Sequence, residues 1–269
     1  MNTPPVILSI AGSDPSGGAG IQADIKTVSA LGGYAAAALT AVTVQNTRGV
    51  AQVEYLPADT VGRQCDAVIE DLAPAAVKIG MTGTPAILHA IAEVLERHGC
   101  GNIVFDPVAL ATSGRMLTQA DALEAACDRL LPRCTLVTPN LSETALLTGE
   151  TVADIEGMRR AARRLHDRYG CAFLIKGGHL DGEHPTDILC DGELHAYTAR
   201  RIDTSNLHGT GCTLSSAIAT LLGKGLPLRE AVGEAKAYVT RAIEAARPLR
   251  IGHGNGPLWH FPEPEHDDR

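Results

Sequence analysis

Asn206-Leu207-His208-Gly209-Thr210-Gly211-Cys212-Thr213-Leu214 is a glycine-broken loop that runs straight into a helix. Gly209 and Gly211 remove side chains where a backbone must bend and approach something closely. Beyond them Leu214, Ile218, Leu221 and Leu222 recur at helical spacing until Gly223-Lys224-Gly225 stops the helix. A helix that starts after a glycine loop offers unpaired N–H groups and the positive end of its dipole, which suits a phosphate. Cys212 sits in the first turn, where the dipole favours a thiolate over a thiol. The stretch also reads as a tight turn carrying a buried structural cysteine, and by itself it does not choose between the two.

Outward from this turn, the chain alternates short apolar runs with helical patterns. Strands are predicted at 6–10, 35–40, 76–79, 102–105, 136–138 and 172–175, and helices at 59–70, 85–98, 119–131, 154–169 and 228–246. A small-residue loop, 11–20, follows the first strand and leads into a helix marked by Ile21, Ile25, Val28 and Leu31. A hairpin is expected over 188–195, with Asp191-Gly192 as its turn. The tail, 263–269, is charged and expected to fray. Alternating strands and helices predict a doubly wound α/β sheet with right-handed crossovers. No repeat and no long linker divides residues 1–269, so one domain is expected.

Composition agrees. The chain is 45% hydrophobic but only 3% aromatic, as suits a parallel sheet packed by helices. A net charge of −8 disfavours a nucleic-acid partner. The seven cysteines are odd in number and irregularly spaced, with no C-x-x-C, so reduced thiols and a cytoplasmic setting are expected. No signal peptide and no membrane-spanning run is visible.

In doubly wound sheets ligands bind beyond the carboxyl ends of the strands. The shortlist is therefore Gly12 to Gly20, Gln45, Lys78 to Met81, Asp106, Thr138 to Glu143, Lys176 and Cys212. Each has a plainer reading. Asp106-Pro107 is a metal site or a turn starter. Asn140 and Glu143 have the form of a capping box, and an acidic residue there also suits hydrated Mg²⁺. By the capping argument, Glu143→Gln keeps an acceptor and leaves stability near normal. Lys176 reaches a phosphate or is solvated. Lys236, on the edge of the stripe Val232, Ala235, Val239 and Ile243, snorkels or enters a cleft. Gln45 reads a heterocycle edge or caps a loop. Asp24, one turn into the first helix, reads most simply as a solvated face. Together these groups match what phosphoryl transfer needs, although no G-x-x-x-x-G-K-[ST] is present.

The chain resembles the ribokinase superfamily and, within it, the hydroxymethylpyrimidine/phosphomethylpyrimidine kinases of thiamine biosynthesis. The resemblance covers nearly the whole chain. It is carried by the segment Ile10 to Asp24, Val44-Gln45-Asn46-Thr47, Lys78-Ile79-Gly80-Met81, Asp106-Pro107-Val108, Thr138-Pro139-Asn140 and Lys176-Gly177-Gly178-His179. His208-Gly209-Thr210-Gly211-Cys212 and the segment Gly252 to Pro257 complete it.

It implies a three-layer αβα fold with a mostly parallel sheet, and ATP- and Mg²⁺-dependent phosphorylation of 4-amino-5-hydroxymethyl-2-methylpyrimidine and then of its monophosphate. It further implies a pyrimidine site of Gly12, Asp24, Gln45, Met81 and Val108, with Gln45 on the ring nitrogen and amino edge. Gly209, Thr210 and Gly211 would form an anion hole, with Cys212 as catalytic base. Asn140, Lys176, Thr210 and Lys236 would serve the nucleotide, Asp106 and Glu143 the metal, and the family implies a homodimer. The family's Lys-Ser-Gly is replaced by Ala111-Thr112-Ser113-Gly114, which removes a cation beside the phosphate path, and Ala109 is smaller than the usual methionine. A pyridoxine or pyridoxal kinase and a non-catalytic pyrimidine-binding protein are the alternatives.

Overall fold

The computed structural model describes residues 3–109, 118, 126–127, 129–178, 180 and 184–262. A nine-stranded sheet forms its spine: β1 (Val6–Ser13), β2 (Tyr34–Asn46), β3 (Gly49–Tyr55), β4 (Ala76–Ile79), β5 (Ile103–Phe105), β6 (Leu136–Val137), β7 (Ala172–Ile175), β8 (Thr186–Cys190) and β9 (Leu194–Thr198). Their order across the sheet is β3-β2-β1-β4-β5-β6-β7-β8-β9. The pairs from β2 through β7 are parallel, while β3 and the β8–β9 hairpin add antiparallel edges. The chain runs to one side of β1 for β2 and to the other for β4, so the order reverses at β1. That reversal opens a crevice at the strands' carboxyl ends.

Alternate strand residues face opposite layers. Leu8, Ile10, Val77, Ile79, Phe105, Val137 and Phe173 pack under α2 (Ala58–Leu72) and α3 (Pro85–His98). Leu147 of α4 (Leu141–Thr148) and Leu165 of α5 (Ile155–Tyr169) join the same layer. Ile7, Ala76, Val104, Leu136 and Leu174 pack against α1 (Gly20–Ala30), α6 (Thr210–Gly223) and α7 (Leu228–Ala246) on the other face. This is the expected three-layer αβα arrangement. α6 is buried at every position from Thr213 to Leu222, so its whole circumference is core and only its N-terminus is left to face a ligand.

The strands at 76–79 and 172–175 and the helices at 85–98 and 228–246 coincide with expectation. Two differences lie near the site. β1 runs on to Ser13, into the expected loop, because Ser13 still pairs with Val42. β2 continues to Asn46 because β3, which had not been expected, zips against it from Ala41 onward. Val42 and Val44 on that hairpin are exposed, so burial gave β3 no strong pattern. The helix expected over 119–131, the segment Ala111 to Gly114, His179 and the tail 263–269 lie wholly or mostly outside the described residues. Among the described residues no helix is long and apolar enough to cross a membrane.

A buried ion pair ties the layers together beneath the crevice. Lys78 Nζ of β4 lies 2.8 Å from Asp24 Oδ2 of α1, and both side chains are fully buried. Asp24 also accepts hydrogen bonds from Ser9 Oγ of β1 at 2.6 Å and Ser216 Oγ of α6 at 2.7 Å. Removing one partner strands the other charge, at a cost of roughly 3–5 kcal/mol. Asp24→Asn should lose stability on that scale in urea denaturation, and Asp24→Leu with Lys78→Met should recover most of it. A double variant no more stable than the single one would show that stranded charge is not the cause.

Candidate active site

The glycine turn works by close approach. Gly209 caps α6 at φ 88, and a Cβ there would strike the carbonyl oxygen of Gly18, so the turn lies flat against the loop after β1. A Cβ on Gly211 would sit 3.3 Å from Lys176 Nζ and 3.4 Å from Asp106 Oδ2. The first turn of α6 therefore opens directly over a lysine and a carboxylate. No side chain caps this end. The Thr210 N–H donates to the Leu207 carbonyl at 3.3 Å, and the other N–H groups of this end and the dipole suit an anion.

Cys212 corrects the sequence expectation. Its thiol is pushed up to about 11, first by burial, with Asp24 and Asp106 adding to the rise. Lys78 and a backbone N–H from Gly20 oppose this without reversing it. Desolvation of a thiolate wedged between two carboxylates outweighs the helix dipole. Cys212 is therefore a protonated thiol at neutral pH in the unliganded protein.

The lysine side of the turn is a compact ionic cluster. Lys176 Nζ contacts Asp106 Oδ1 at 2.6 Å, and Thr138 Oγ1 lies 3.3 Å from the same oxygen. Although burial disfavours its charge, Asp106 and Glu143 hold the Lys176 ammonium above its usual range. Asn140 and Glu143 form the capping box of α4: Asn140 Oδ1 accepts from the Glu143 N–H, and Glu143 Oε2 from the Asn140 N–H. Glu143 Oε1 also accepts from the Ala109 N–H at 3.0 Å. Both carboxylate oxygens thus hold backbone, and burial above all raises the Glu143 pKa.

On the other side, Gly12 lies against the Met81 thioether, and Met81 packs with Ala41 and Val108. Val108 has φ 40, a strained conformation for a β-branched residue and a common mark of a functional position. Gln45 is half-buried near this group and reaches His208, the residue before Gly209, with 3.3 Å between Gln45 Nε2 and His208 Nε2. Asp24 departs from both earlier readings. It is neither solvated nor at a pocket surface, since Lys78, Ser9 and Ser216 enclose it.

Lys236 stands apart from the turn. Its Nζ pairs with Asp187 Oδ2 at 2.6 Å at the edge of a cleft of about 710 Å³ between β9 and α7. Asp187 Oδ1 accepts from the Gly177 N–H, which links Lys236 to the strand end that carries Lys176. Sequence reasoning passed over Asp187, Thr43 and the role of His208, and it included Asp14 only within the loop Gly12 to Gly20. A lone aspartate inside the apolar run Thr186-Asp187-Ile188-Leu189-Cys190 was the available signal for Asp187.

A glycine turn that opens a helix over a lysine–carboxylate pair at the carboxyl ends of a parallel sheet fits a phosphotransferase of the ribokinase-like α/β class. The phosphomethylpyrimidine kinase model matches residues 14–259, and the chain belongs to that family. It is 53% identical to the hydroxymethylpyrimidine/phosphomethylpyrimidine kinase of Rhizobium meliloti over 95% of this chain and 97% of that one. The crystal structure of phosphomethylpyrimidine kinase from Clostridium difficile superposes with a TM-score of 0.79 at 41% identity, covering 89% of this chain and 99% of that one. The pyridoxal kinase of Staphylococcus aureus in complex with AMP-PCP and pyridoxal gives a TM-score of 0.88 at 35% identity, covering 97% and 95%. Such kinship indicates ATP use.

Two outcomes follow from this geometry. Below a pKa of about 11 the Cys212 thiolate fraction grows roughly tenfold per pH unit, and alkylation should follow it. Iodoacetamide labelling of Cys212 in the unliganded protein, read by peptide mass spectrometry, should climb steadily from pH 7 to pH 10. A rate already level at pH 7 would mean a depressed pKa. Glu143→Gln should not be neutral, contrary to the capping argument. It sets an NH₂ group against a backbone N–H, costing about 1–3 kcal/mol, readable as a lower melting temperature. Unchanged melting would rule out the double acceptor role.

Proposed function

We propose that this protein is an ATP-dependent kinase that phosphorylates 4-amino-5-hydroxymethyl-2-methylpyrimidine and then its monophosphate, as the names of its relatives describe for them. The observation that carries the reading is the double contact of the glycine turn. It lies over Lys176 and Asp106 on one side and is joined through His208 to Gln45 on the other. A hydroxymethyl group on a ring held by Gln45 would thus face the anion-binding end of α6.

In this mechanism Gly12, Met81 and Val108 wall the ring, and the amides of Gly209 and Gly211 receive the oxygens of the transferred group, the Thr210 N–H being held by the Leu207 carbonyl. Lys176 neutralises charge there, with Asn140, Thr210 and Lys236 serving the rest of the nucleotide. A loose phosphoryl-transfer transition state asks mainly for such positioning and charge. As the bond between the transferred phosphoryl group and the ADP oxygen breaks and the new O–P bond forms, the hydroxyl proton passes to the minor thiolate form of Cys212, whose high proton affinity makes it a strong but sparsely populated base.

Asp106 Oδ2, 3.4 Å from where a Cβ on Gly211 would sit, and the remaining lone pairs of Glu143 are hard oxygen donors of the kind Mg²⁺ takes in small number alongside phosphates. They would hold that ion, whose chemistry is to offset charge on the phosphoryl oxygens. The reading also includes a cytoplasmic homodimer. A second reading, pyridoxal kinase activity, is favoured by the superposition on the Staphylococcus aureus enzyme.

A kinase assay with the hydroxymethylpyrimidine, its monophosphate, pyridoxine and pyridoxal at equal concentrations separates these readings. The two pyrimidines should be preferred, and preference for pyridoxal would reverse the assignment. Cys212→Ala should lower turnover by roughly 10²–10⁴-fold if Cys212 is the base. A loss of less than about tenfold would leave the work to the amides and cations alone.

A further inference from the structure

Four polar side chains beside the ring site form one chain of hydrogen bonds. Thr43 Oγ1 lies 2.8 Å from the Ser13 carbonyl oxygen and 3.2 Å from Gln45 Oε1. His208 Nε2 lies 2.8 Å from Asp14 Oδ2 and 3.3 Å from Gln45 Nε2. Hydrogen inventory decides who donates. A hydroxyl has one proton, and a carbonyl oxygen can only accept, so Thr43 spends its proton on Ser13 and must accept from Gln45. Asp14 is an acceptor as well. Although burial opposes its charge, hydrogen bonds from His208 and Ser16 hold its carboxyl below the usual range. His208 Nε2 therefore points its single proton toward Asp14 and has no lone pair left to accept, so an NH₂ group facing it would be unpaired, whereas a carbonyl oxygen there can share that proton. Both ends give the same result when the terminal amide is turned by 180°: the NH₂ points to Thr43 and the carbonyl oxygen to His208.

Asp14 is itself pinned. It accepts from Ser16 N at 2.9 Å, Ser16 Oγ at 2.7 Å and Ala19 N at 2.9 Å. The loop that meets the glycine turn therefore also fixes the histidine. Each end of the Gln45 amide keeps one free position, an N–H on the Thr43 side and a lone pair on the His208 side.

We infer that His208, oriented by Asp14, and Thr43, oriented by the Ser13 carbonyl, are positioning residues that lock the Gln45 carboxamide in one orientation and so determine substrate specificity. The locked amide accepts a ring that presents a bare nitrogen beside an amino group. It rejects the 4-oxo analogue, which presents N–H and C=O in the reverse order. This inference rests on the reading that Gln45 contacts the ring.

The test is the ratio of kcat/KM for the 4-amino substrate to that for its 4-oxo analogue, 5-hydroxymethyl-2-methylpyrimidin-4-one. A site built to hydrogen-bond one edge discriminates strongly, and the ratio should be about 100 or more in the unaltered protein. In Thr43→Val with His208→Leu the amide is free to turn, and the ratio should drop at least about tenfold, mostly through KM. Thr43→Ser and His208→Gln return a hydroxyl and an N–H donor at similar reach and should keep the ratio, which a merely structural role would not predict. Nucleotide affinity, read by ADP titration, should be unchanged in every folded variant.

Gln45→Ala separates the two levels of the argument. If it leaves the ratio intact, the reading of Gln45 as the ring contact fails. If it removes discrimination while Thr43→Val with His208→Leu keeps it, Gln45 reads the ring without a lock, and the inference made here is overturned.

Discussion

The burial of one lysine ammonium against one carboxylate underlies the whole site. Lys78 and Asp24 are both fully enclosed, and Asp24 gathers Ser9 and Ser216 as well. That single carboxylate therefore ties β1, β4, α1 and α6 together at the carboxyl end of the sheet. An ion pair in this position is a poor source of stability compared with apolar packing. Its geometry is demanding, however, and the demand falls where the first turn of α6 must be placed to within a fraction of an ångström. Ser216 lies one helical turn past Cys212, so the contact that fixes it also fixes the thiol.

Charge balance above this pair explains the chemistry on offer. Three carboxylates, Asp24, Asp106 and Glu143, stand close to two ammonium groups, Lys78 and Lys176. Both lysines are held above their ordinary range although burial opposes it. The thiol is held in its protonated form because the carboxylates and the loss of water outweigh the cations. With three carboxylates against two ammonium groups, the unliganded cluster carries enough negative charge to keep the Cys212 thiol from ionising.

The sheet supplies two separate recognition faces from one reversal of strand order. Gln45, at the end of β2, is reached from β1 through Ser13 and Thr43 and from the loop before α6 through His208. Lys176, at the end of β7, is reached from β5 through Asp106 and from α4 through Glu143. The glycine turn is in contact with both, and so is the segment Asp106 to Ala109. Side chains at 209 and 211 would fill the gap by which the two faces communicate.

Most of the fold was legible in the sequence, and so were the residue types at the strand ends, because both are written in local chemistry. The core strands are short apolar runs such as Ala76 to Ile79, and the helices carry stripes, caps and glycine stops. The capping box at Asn140 and Glu143 is visible as a spacing and is formed as expected. What the sequence could not give is what each polar group meets, because partners far apart in the chain are brought together only by the sheet. Asp24 read as a solvated residue because its own helix has no local sign of Lys78, 54 positions away. Cys212 read as a thiolate because the helix dipole is local, whereas the desolvation and the carboxylates that overrule it arrive from other elements. β3 stayed hidden because its faces are largely exposed. The sequence alone determined the layer order, the glycine turn and the residue types at the strand ends, since these follow from periodicity and backbone sterics. Only the tertiary structure decided the protonation, pairing and orientation of those residues, since burial and long-range charge set all three.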